Sequence, residues 1–192
     1  MKASVLIRLI IFSLTLPVAA AAVEPFETLT VSAGYVNNIN RNRYHDFWHP
    51  AHGGEITGET PFYFGRVETG LQLTPNRGRR DTDTDYLSIH IFIGWSYAVG
   101  LKGGLEFTAG FRLGNYYMRY DDDNTAGELH SESELAVSSL TRLRFEFRDK
   151  YYIWLGLRYR TVYTSPRIYH GFIALGLSHV FDMPGWLRGI LE

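Results

Sequence analysis

The chain has 192 residues, enough for one domain, and a formal net charge of −1 at neutral pH, which provides no attraction for nucleic acid. It contains no cysteine, so disulfides and thiolate metal sites are excluded. Lysine occurs only at Lys2, Lys102 and Lys150, so arginine supplies most of the positive charge, and its planar fork suits buried ion pairs.

The first segment, residues 1–22, has the pattern of a secretory signal peptide. Positive residues precede a short apolar run over residues 9–16, a proline ends the run, and alanines follow at the expected cleavage position. The run is shorter than the roughly 20 residues of a membrane-spanning helix, although an uncleaved anchor is the alternative. We expect Sec-type export, with cleavage after Ala21 or Ala22.

Residues 23–182 alternate between apolar and polar side chains with a period of two, which predicts β-strands. Seven strands are predicted, over residues 28–37, 60–73, 86–97, 105–117, 129–147, 151–163 and 169–181. Barrels usually close with an even number of strands, starting at eight, so an eighth is needed. Residues 40–48 are the predicted eighth strand, and the alternative is that the long segment 129–147 is two strands.

The apolar faces carry large aromatic side chains near the strand ends, as an interfacial girdle would, for example Tyr35, Trp95 and Tyr151. The polar faces mix both charge signs with glycine, which favours a narrow lumen filled with ion pairs. The sequence therefore predicts an all-β, eight-stranded antiparallel up-and-down transmembrane β-barrel in the bacterial outer membrane. A soluble β-protein is the alternative.

The predicted connections follow the usual barrel rule of short periplasmic turns and longer outward loops. Short turns are expected at residues 99–103 and 148–150, and outward loops at residues 75–84, 121–128 and 164–167. The predicted polar network of the lumen comprises Arg66, Glu68, His90, Glu106, Arg112, His130, Glu132, Glu134, Arg142, Arg144, Glu146, Arg158 and Arg160.

The last predicted strand resembles the C-terminal signal that the outer-membrane assembly machinery reads, and this machinery is therefore an expected partner. Gly176 is followed by His179 and Phe181, at the spacing where that signal has aromatic residues. The chain then continues as a short extension over residues 183–192, whose apolar residues suit a turn of helix at the periplasmic rim.

Near the end of the chain, the segment from Arg160 to Pro166 resembles the lipid A 3-O-deacylase family, whose members are eight-stranded outer-membrane hydrolases. Arg160 and the candidate nucleophile Ser165 match that family's pattern. Tyr163 stands in place of the base histidine, Pro166 replaces an asparagine, and the last strand has no carboxylate before Asp182. A tyrosine with an ordinary pKa of about 10 is a poor general base, so the resemblance implies an inactive relative.

Three other segments contain residue types that carry chemistry. The histidines His45, His49 and His52 are a candidate Zn²⁺ or Cu²⁺ site, but their spacing matches no standard site, and an aromatic-rich segment at the membrane boundary is the favoured interpretation. Ser131 points away from the face that its neighbours His130 and Glu132 share, which disfavours a catalytic pair there. The basic cluster Arg77, Arg79 and Arg80 is a candidate contact for lipopolysaccharide phosphates, and a solvated turn is the alternative.

The function predicted from these features is non-enzymatic, a structural role or one of lipid or ligand interaction in the cell envelope, without a cofactor. Membrane lipid and lipopolysaccharide are the expected partners, and nucleic acid is not one. Eight strands leave an interior that side chains can fill, which disfavours free diffusion of solutes. The alternatives are a lipid A-modifying hydrolase, a small-solute channel and a soluble periplasmic lipid-binding barrel.

Overall fold

A computed structural model describes residues 25–79, 84–121 and 131–191, and most of these residues form β-strands. The predicted signal peptide, Arg80 and His130 lie outside this part of the chain. The strands are β1 (Thr28–Asn38), β2 (Trp48–Pro50), β3 (Gly53–Phe62), β4 (Gly65–Gly78), β5 (Tyr86–Gly100), β6 (Leu105–Tyr120), β7 (Ser131–Arg148), β8 (Tyr151–Val162) and β9 (Ile168–Asp182). A 3-10 helix spans Arg43–Asp46, and the helix α1 spans Gly185–Leu191.

Eight of the strands form one closed antiparallel sheet in which each strand pairs with the next, in the order β1, β3, β4, β5, β6, β7, β8 and β9. The barrel closes because β1 also pairs with β9, from Thr28 opposite Asp182 to Asn38 opposite Phe172. Closure satisfies the backbone hydrogen bonds of every strand and leaves no long edge. The predicted eight-stranded antiparallel barrel is confirmed.

The prediction that residues 40–48 form the eighth strand is wrong, because that strand is β3. The Asn42 side chain accepts a hydrogen bond from the Tyr44 backbone N–H, which starts the 3-10 helix and stops the segment from extending. The short β2 pairs only with the end of β4. The predicted strand over residues 60–73 is likewise divided, by a turn at residues 63–64, whereas β7 runs unbroken from Ser131.

The two ends of the barrel differ in their connections. At one end, which we call the turn end, the links are the short segments 63–64, 101–104 and 149–150. At the other, the loop end, the links are residues 39–52, 79–85, 121–130 and 163–167. The chain enters β1 and leaves β9 at the turn end, where the Met183 N–H donates to the Glu27 carbonyl at 3.1 Å. This arrangement follows the rule for outer-membrane barrels.

The outward face of the barrel is apolar and exposed. Ile56, Ile93 and Leu177 are 61%, 65% and 59% exposed, and their neighbours on that face are similar. Aromatic rings occur on it near the strand ends, including Tyr35, Tyr63, Phe64, Tyr151, Tyr163 and Phe181. Among the described residues, no helix has the length and apolar character needed to cross a bilayer.

Candidate functional site in the lumen and at the loop end

The turn half of the lumen is filled by charged side chains that pair across the barrel. Arg112 on β6 donates from Nε to Glu68 Oε1 at 2.6 Å and from Nη1 to Glu55 Oε2 at 2.9 Å. Arg158 on β8 binds the Glu55 carboxylate through both terminal nitrogens, one of them 2.5 Å from Oε1. Glu55 therefore joins strands on opposite walls of the barrel through two guanidinium groups.

A second carboxylate, Glu59, is the centre of the pairs nearer the turn end. Arg142 donates to its Oε2 at 3.1 Å, Arg66 to its Oε1 at 3.0 Å, and Arg144 also binds it. Arg66 continues the network to Glu106, with Nη2 2.5 Å from Oε2. Because each charge in this group around Glu59 has an opposite partner, the cost of removing it from water is offset.

The arginines of this network also stack on aromatic rings. The Arg112 guanidinium lies 4.1 Å from the centre of the Phe92 ring, and that of Arg142 lies 5.2 Å from the Trp154 ring. The Trp154 ring in turn packs against two glycines, because a Cβ added at Gly34 or Gly176 would be within 2.5 Å of it. Charged and aromatic side chains together fill the interior, as expected for eight strands.

The structure places the predicted lumen residues unevenly. Nine of them lie inside the barrel: Arg66, Glu68, His90, Glu106, Arg112, Arg142, Arg144, Arg158 and Arg160. Glu132 and Glu146 are exposed, and Glu134 is half-buried, because all three lie towards the ends of β7. Sequence reasoning missed Glu55 and Glu59, which belong to the strand that was not predicted. The polar residues Glu55, Thr57 and Glu59 at alternate positions were the sequence signal that could have predicted this strand.

Towards the loop end, the lumen changes from charged to aromatic. Tyr44, carried by the 3-10 helix, enters the barrel, where its hydroxyl donates to Asn76 Oδ1 at 2.8 Å and lies 2.6 Å from the Tyr86 hydroxyl. Below it, Arg160 donates from Nη2 to Gln72 Oε1 at 2.6 Å. The buried residues of this half form a cluster: Tyr44, Tyr86, Tyr116, Met118, Ala136 and Val162.

Above this cluster lies a cavity of about 420 Å³, which we call the mouth cavity. It lies among the 3-10 helix, the inner faces of β5, β6 and β7, and the link from β8 to β9. Its lining consists of Arg43, Tyr44, Phe47, Trp48, Tyr86, Met118, Tyr120, Glu132, Thr164, Ser165, Pro166, Arg167 and Ile168.

A second cavity of about 720 Å³, the lateral cavity, lies on the outer side of the rim. It occupies the notch above β3, which begins at Gly53, whereas β1 and β4 extend further towards the loop end. Most of its lining side chains are polar, and the described ones include three arginines, three histidines and one carboxylate. The charged and imidazole groups are Arg41, Arg77, Arg79, His45, His49, His52 and Asp46.

The structure thus brings together two groups that the sequence analysis treated separately: the proposed phosphate contacts Arg77 and Arg79, and the three histidines. His49 is opposite Arg77 in the β2–β4 pairing, so both side chains lie on the outward face. Arg79 is held in place because its Nη1 donates to the His45 carbonyl at 2.9 Å. The result is a cationic recess at the barrel rim.

His45 is held in one neutral form by its contacts. Its Nδ1 accepts from the Asn42 backbone N–H at 3.2 Å, which leaves the proton on Nε2 to donate to Asn38 Oδ1 at 2.9 Å. Partial burial lowers the pKa of His45, a hydrogen bond with the Asn42 backbone opposes this shift, and the nearby His49, Arg79 and Arg41 add to it. His52 instead bonds to the Tyr35 hydroxyl. Within the described ranges, no three His, Cys, Asp or Glu side chains are grouped to hold a metal ion.

The segment that resembles the deacylase pattern does not form a catalytic triad in the described residues. Ser165 is exposed in the link between β8 and β9, and its hydroxyl bonds to no imidazole or carboxylate there. Tyr163, at the position of the family's base, points outward and is 43% exposed. Arg160 points into the lumen and contacts Gln72 and Ser138.

Solved outer-membrane barrels share this fold at low sequence identity. Neisserial surface protein A matches with a TM-score of 0.59 at 14% identity, covering 80% of this chain and 96% of that one. The N-terminal β-barrel domain of Pseudomonas aeruginosa OprF matches with a TM-score of 0.53 at 12% identity, covering 82% of this chain and 100% of that one. The attachment invasion locus protein Ail of Yersinia pestis matches with a TM-score of 0.51 at 15% identity, covering 81% of this chain and 99% of that one.

No protein-family model matches the chain, and no curated protein matches its sequence. The likeness to solved structures therefore establishes the architecture and no particular activity. The chain has the fold of the small eight-stranded outer-membrane β-barrels.

Proposed function

We propose that this protein is a non-enzymatic outer-membrane barrel whose lateral cavity binds the phosphate groups of anionic lipid, that is, lipopolysaccharide of the outer leaflet. The observation that carries the proposal is the position of this cationic recess, just above the apolar outward face of the barrel. A lipid whose chains lie against that face would place its phosphates at this level.

A bilayer location is supported by the outward face. Exposed leucine, isoleucine and phenylalanine side chains cover this face, and such a surface is stable in lipid and costly in water. The closed sheet leaves no unpaired strand edge in the hydrocarbon region, as a membrane-spanning structure requires. We orient the loop end outward, because the longer links of such barrels face away from the periplasm.

A channel function is disfavoured by the lumen. Arg112 is fully buried, and its guanidinium bridges Glu55 and Glu68 across the barrel. A solute would have to separate these pairs, and each separated charge would stay buried in a medium of low dielectric constant. We therefore propose a structural role for the ion pairs.

Phosphate binding is supported by the charge of the lateral cavity. Three arginines face one carboxylate, Asp46, and a guanidinium group can bind a phosphate at two points. Arg77 comes from β4 and Arg79 from the residue that follows this strand, whereas Arg41 comes from the other side of the notch. Cations on both sides suit a group with several anionic oxygens.

The test compares lipid retention by two double variants in native mass spectrometry of the refolded barrel with bis-phosphorylated lipid A. Arg41→Gln with Arg77→Gln removes two cations of the lateral cavity, and we expect retention to fall at least about tenfold, since each charge-assisted contact is strong. Arg43→Gln with Arg167→Gln is the matched control, because these exposed arginines line the mouth cavity instead.

Dephosphorylated lipid A should be retained weakly by the unaltered protein. Equal retention of lipid A by the two double variants and the unaltered protein would contradict the proposal.

The bound lipid should keep its intact mass. A loss of acyl mass that Ser165→Ala abolishes would instead support the hydrolase.

A further inference from the structure

We infer that the mouth cavity is a second binding site, which takes an amphipathic anion with an apolar body and one carboxylate or similar group. The inference does not depend on lipid binding in the lateral cavity. It rests on the chemistry of the lining, on the side from which the cavity opens, and on the distribution of charge around it.

The floor of the cavity is apolar and aromatic. Tyr44 and Trp48 are stacked with their ring centres 5.5 Å apart, and the Tyr86 ring meets Trp48 edge-on at 5.8 Å. Met118 completes the floor, and its flexible thioether adapts to the shape of a ligand. A volume of about 420 Å³ lies within the range of small-molecule sites, and rings of this kind favour an apolar body.

The polar groups of the floor are already used by the protein. The Tyr44 hydroxyl is bonded to Asn76 and Tyr86, and the Trp48 ring nitrogen donates to the Thr84 carbonyl at 3.1 Å. A ligand at this depth would therefore meet mainly carbon surface. A sugar or another fully polar solute would lose its contacts with water without replacing them.

Charge is confined to the upper part of the lining. Arg43 and Arg167 come from the two links that flank the cavity, and both are exposed. The Arg167 guanidinium lies 5.2 Å from the centre of the outward Tyr163 ring, at the edge of the cavity. Among the described lining residues, Glu132 is the single carboxylate beside two arginines, so positive charge is in excess there. An anionic group placed between the two arginines would be attracted while its apolar body occupied the floor.

In the part of the chain that the structure describes, the cavity faces the loop end of the barrel. Its lining residues on β5, β6 and β7 are Tyr86, Met118, Tyr120 and Glu132, which all hold inward positions of their strands. Tyr163 and Tyr169, the outward residues next to the β8–β9 link, are not part of the lining. The ligand would thus enter from solution rather than from the bilayer, which separates it from the lipids of the lateral cavity.

The experiment uses the full barrel in lipid nanodiscs with 11-(dansylamino)undecanoate as the probe. Trp95→Phe and Trp186→Phe leave Trp48 in the cavity and Trp154 in the lumen as energy donors. We expect saturable energy transfer to the dansyl group with one site per barrel, above the signal of empty nanodiscs. Dodecanoate should displace the probe and butyrate should not, because butyrate lacks the apolar body.

The same two double variants test the charge requirement, and here the control of the lipid experiment becomes the variant that should lose binding. Arg43→Gln with Arg167→Gln should weaken probe binding at least about tenfold, since a charge-assisted contact is lost. Arg41→Gln with Arg77→Gln should leave it unchanged. The uncharged methyl ester of the probe should bind the unaltered protein about as weakly as the acid binds the Arg43 and Arg167 double variant.

Three results would overturn the inference: no saturable transfer above empty nanodiscs, equal binding of acid and ester, or equal effects of the two double variants. Each variant is first shown to fold by its heat-modifiable migration on gels. A negative result therefore concerns the mouth cavity and leaves the barrel and the lateral cavity to their own tests.

Discussion

The two halves of the lumen are built from different chemistry. In the turn half, Glu55 and Glu59 each bind two or more arginines across the barrel. In the loop half, tyrosines share hydroxyl hydrogen bonds around Tyr44, which a loop carries into the barrel. The ion pairs connect strands on opposite sides of the barrel, whereas the tyrosines connect a loop to the strands of the barrel wall. The first half can therefore support the barrel and the second can support a site.

The two halves should differ most in their response to loss of one polar group. Glu55→Gln would leave Arg112 and Arg158 buried without their shared carboxylate, and breaking a buried pair in this way costs about 3–5 kcal/mol. The measurement is the free energy of unfolding in urea of the barrel refolded in lipid vesicles.

Glu106→Gln is the control for this prediction. Glu106 is 21% exposed, and its partners Arg66 and Arg144 both keep Glu59, so the loss should be about 1 kcal/mol or less. If both variants lose the same stability, the wall-to-wall role of Glu55 is wrong.

In the loop half, Tyr44→Phe should have a smaller effect. The change leaves Asn76 and Tyr86 without their shared hydroxyl partner, which costs about 1–3 kcal/mol. Amide hydrogen exchange should increase in residues 39–52 more than in the strands. Tyr159→Phe, on the outward face, should change neither quantity, and an equal effect of both substitutions would show that Tyr44 does not hold the loop.

The smallest expected effect is the pH response of the same loop. Because its pKa is lowered in the folded protein, His45 favours folding in its neutral form. Its contribution is complete above the ordinary pKa of about 6.5 and decreases as the pH falls below that value. Hydrogen exchange in residues 39–52 should therefore increase between pH 7 and pH 5.5, and less so in His45→Gln. An identical pH response in both proteins would exclude this role of His45.

Most of the barrel could be predicted from the sequence because an apolar outward face and an ion-paired lumen impose a strict alternation. The Ile89, Ile91 and Ile93 series against His90 and Phe92 shows this clearly. The same rule failed for β3, where glycine and threonine obscure the apolar face and Ile56 is its only large aliphatic residue. A local hydrogen bond to the Asn42 side chain made the neighbouring segment a 3-10 helix instead of a strand. Period-two alternation carries no information about such caps.

The two cavities could be predicted only in part. Arg77 and Arg79 were identified by their clustering, and Ser165 by its likeness to a family pattern. Arg41, Arg43 and Arg167 were not, because the sequence does not show which loop residues meet across a barrel rim. Arg41 and Arg43, which flank Asn42 in the sequence, line different cavities because the 3-10 helix begins between them.

The most direct test of the central claim, a lipid-embedded β-barrel, is fractionation of cells that express the full chain. We predict that the protein stays in the outer-membrane fraction after a carbonate wash and migrates faster on gels when unheated than when boiled. A protein recovered only in the soluble periplasmic fraction, with a single migration at all temperatures, would contradict the account.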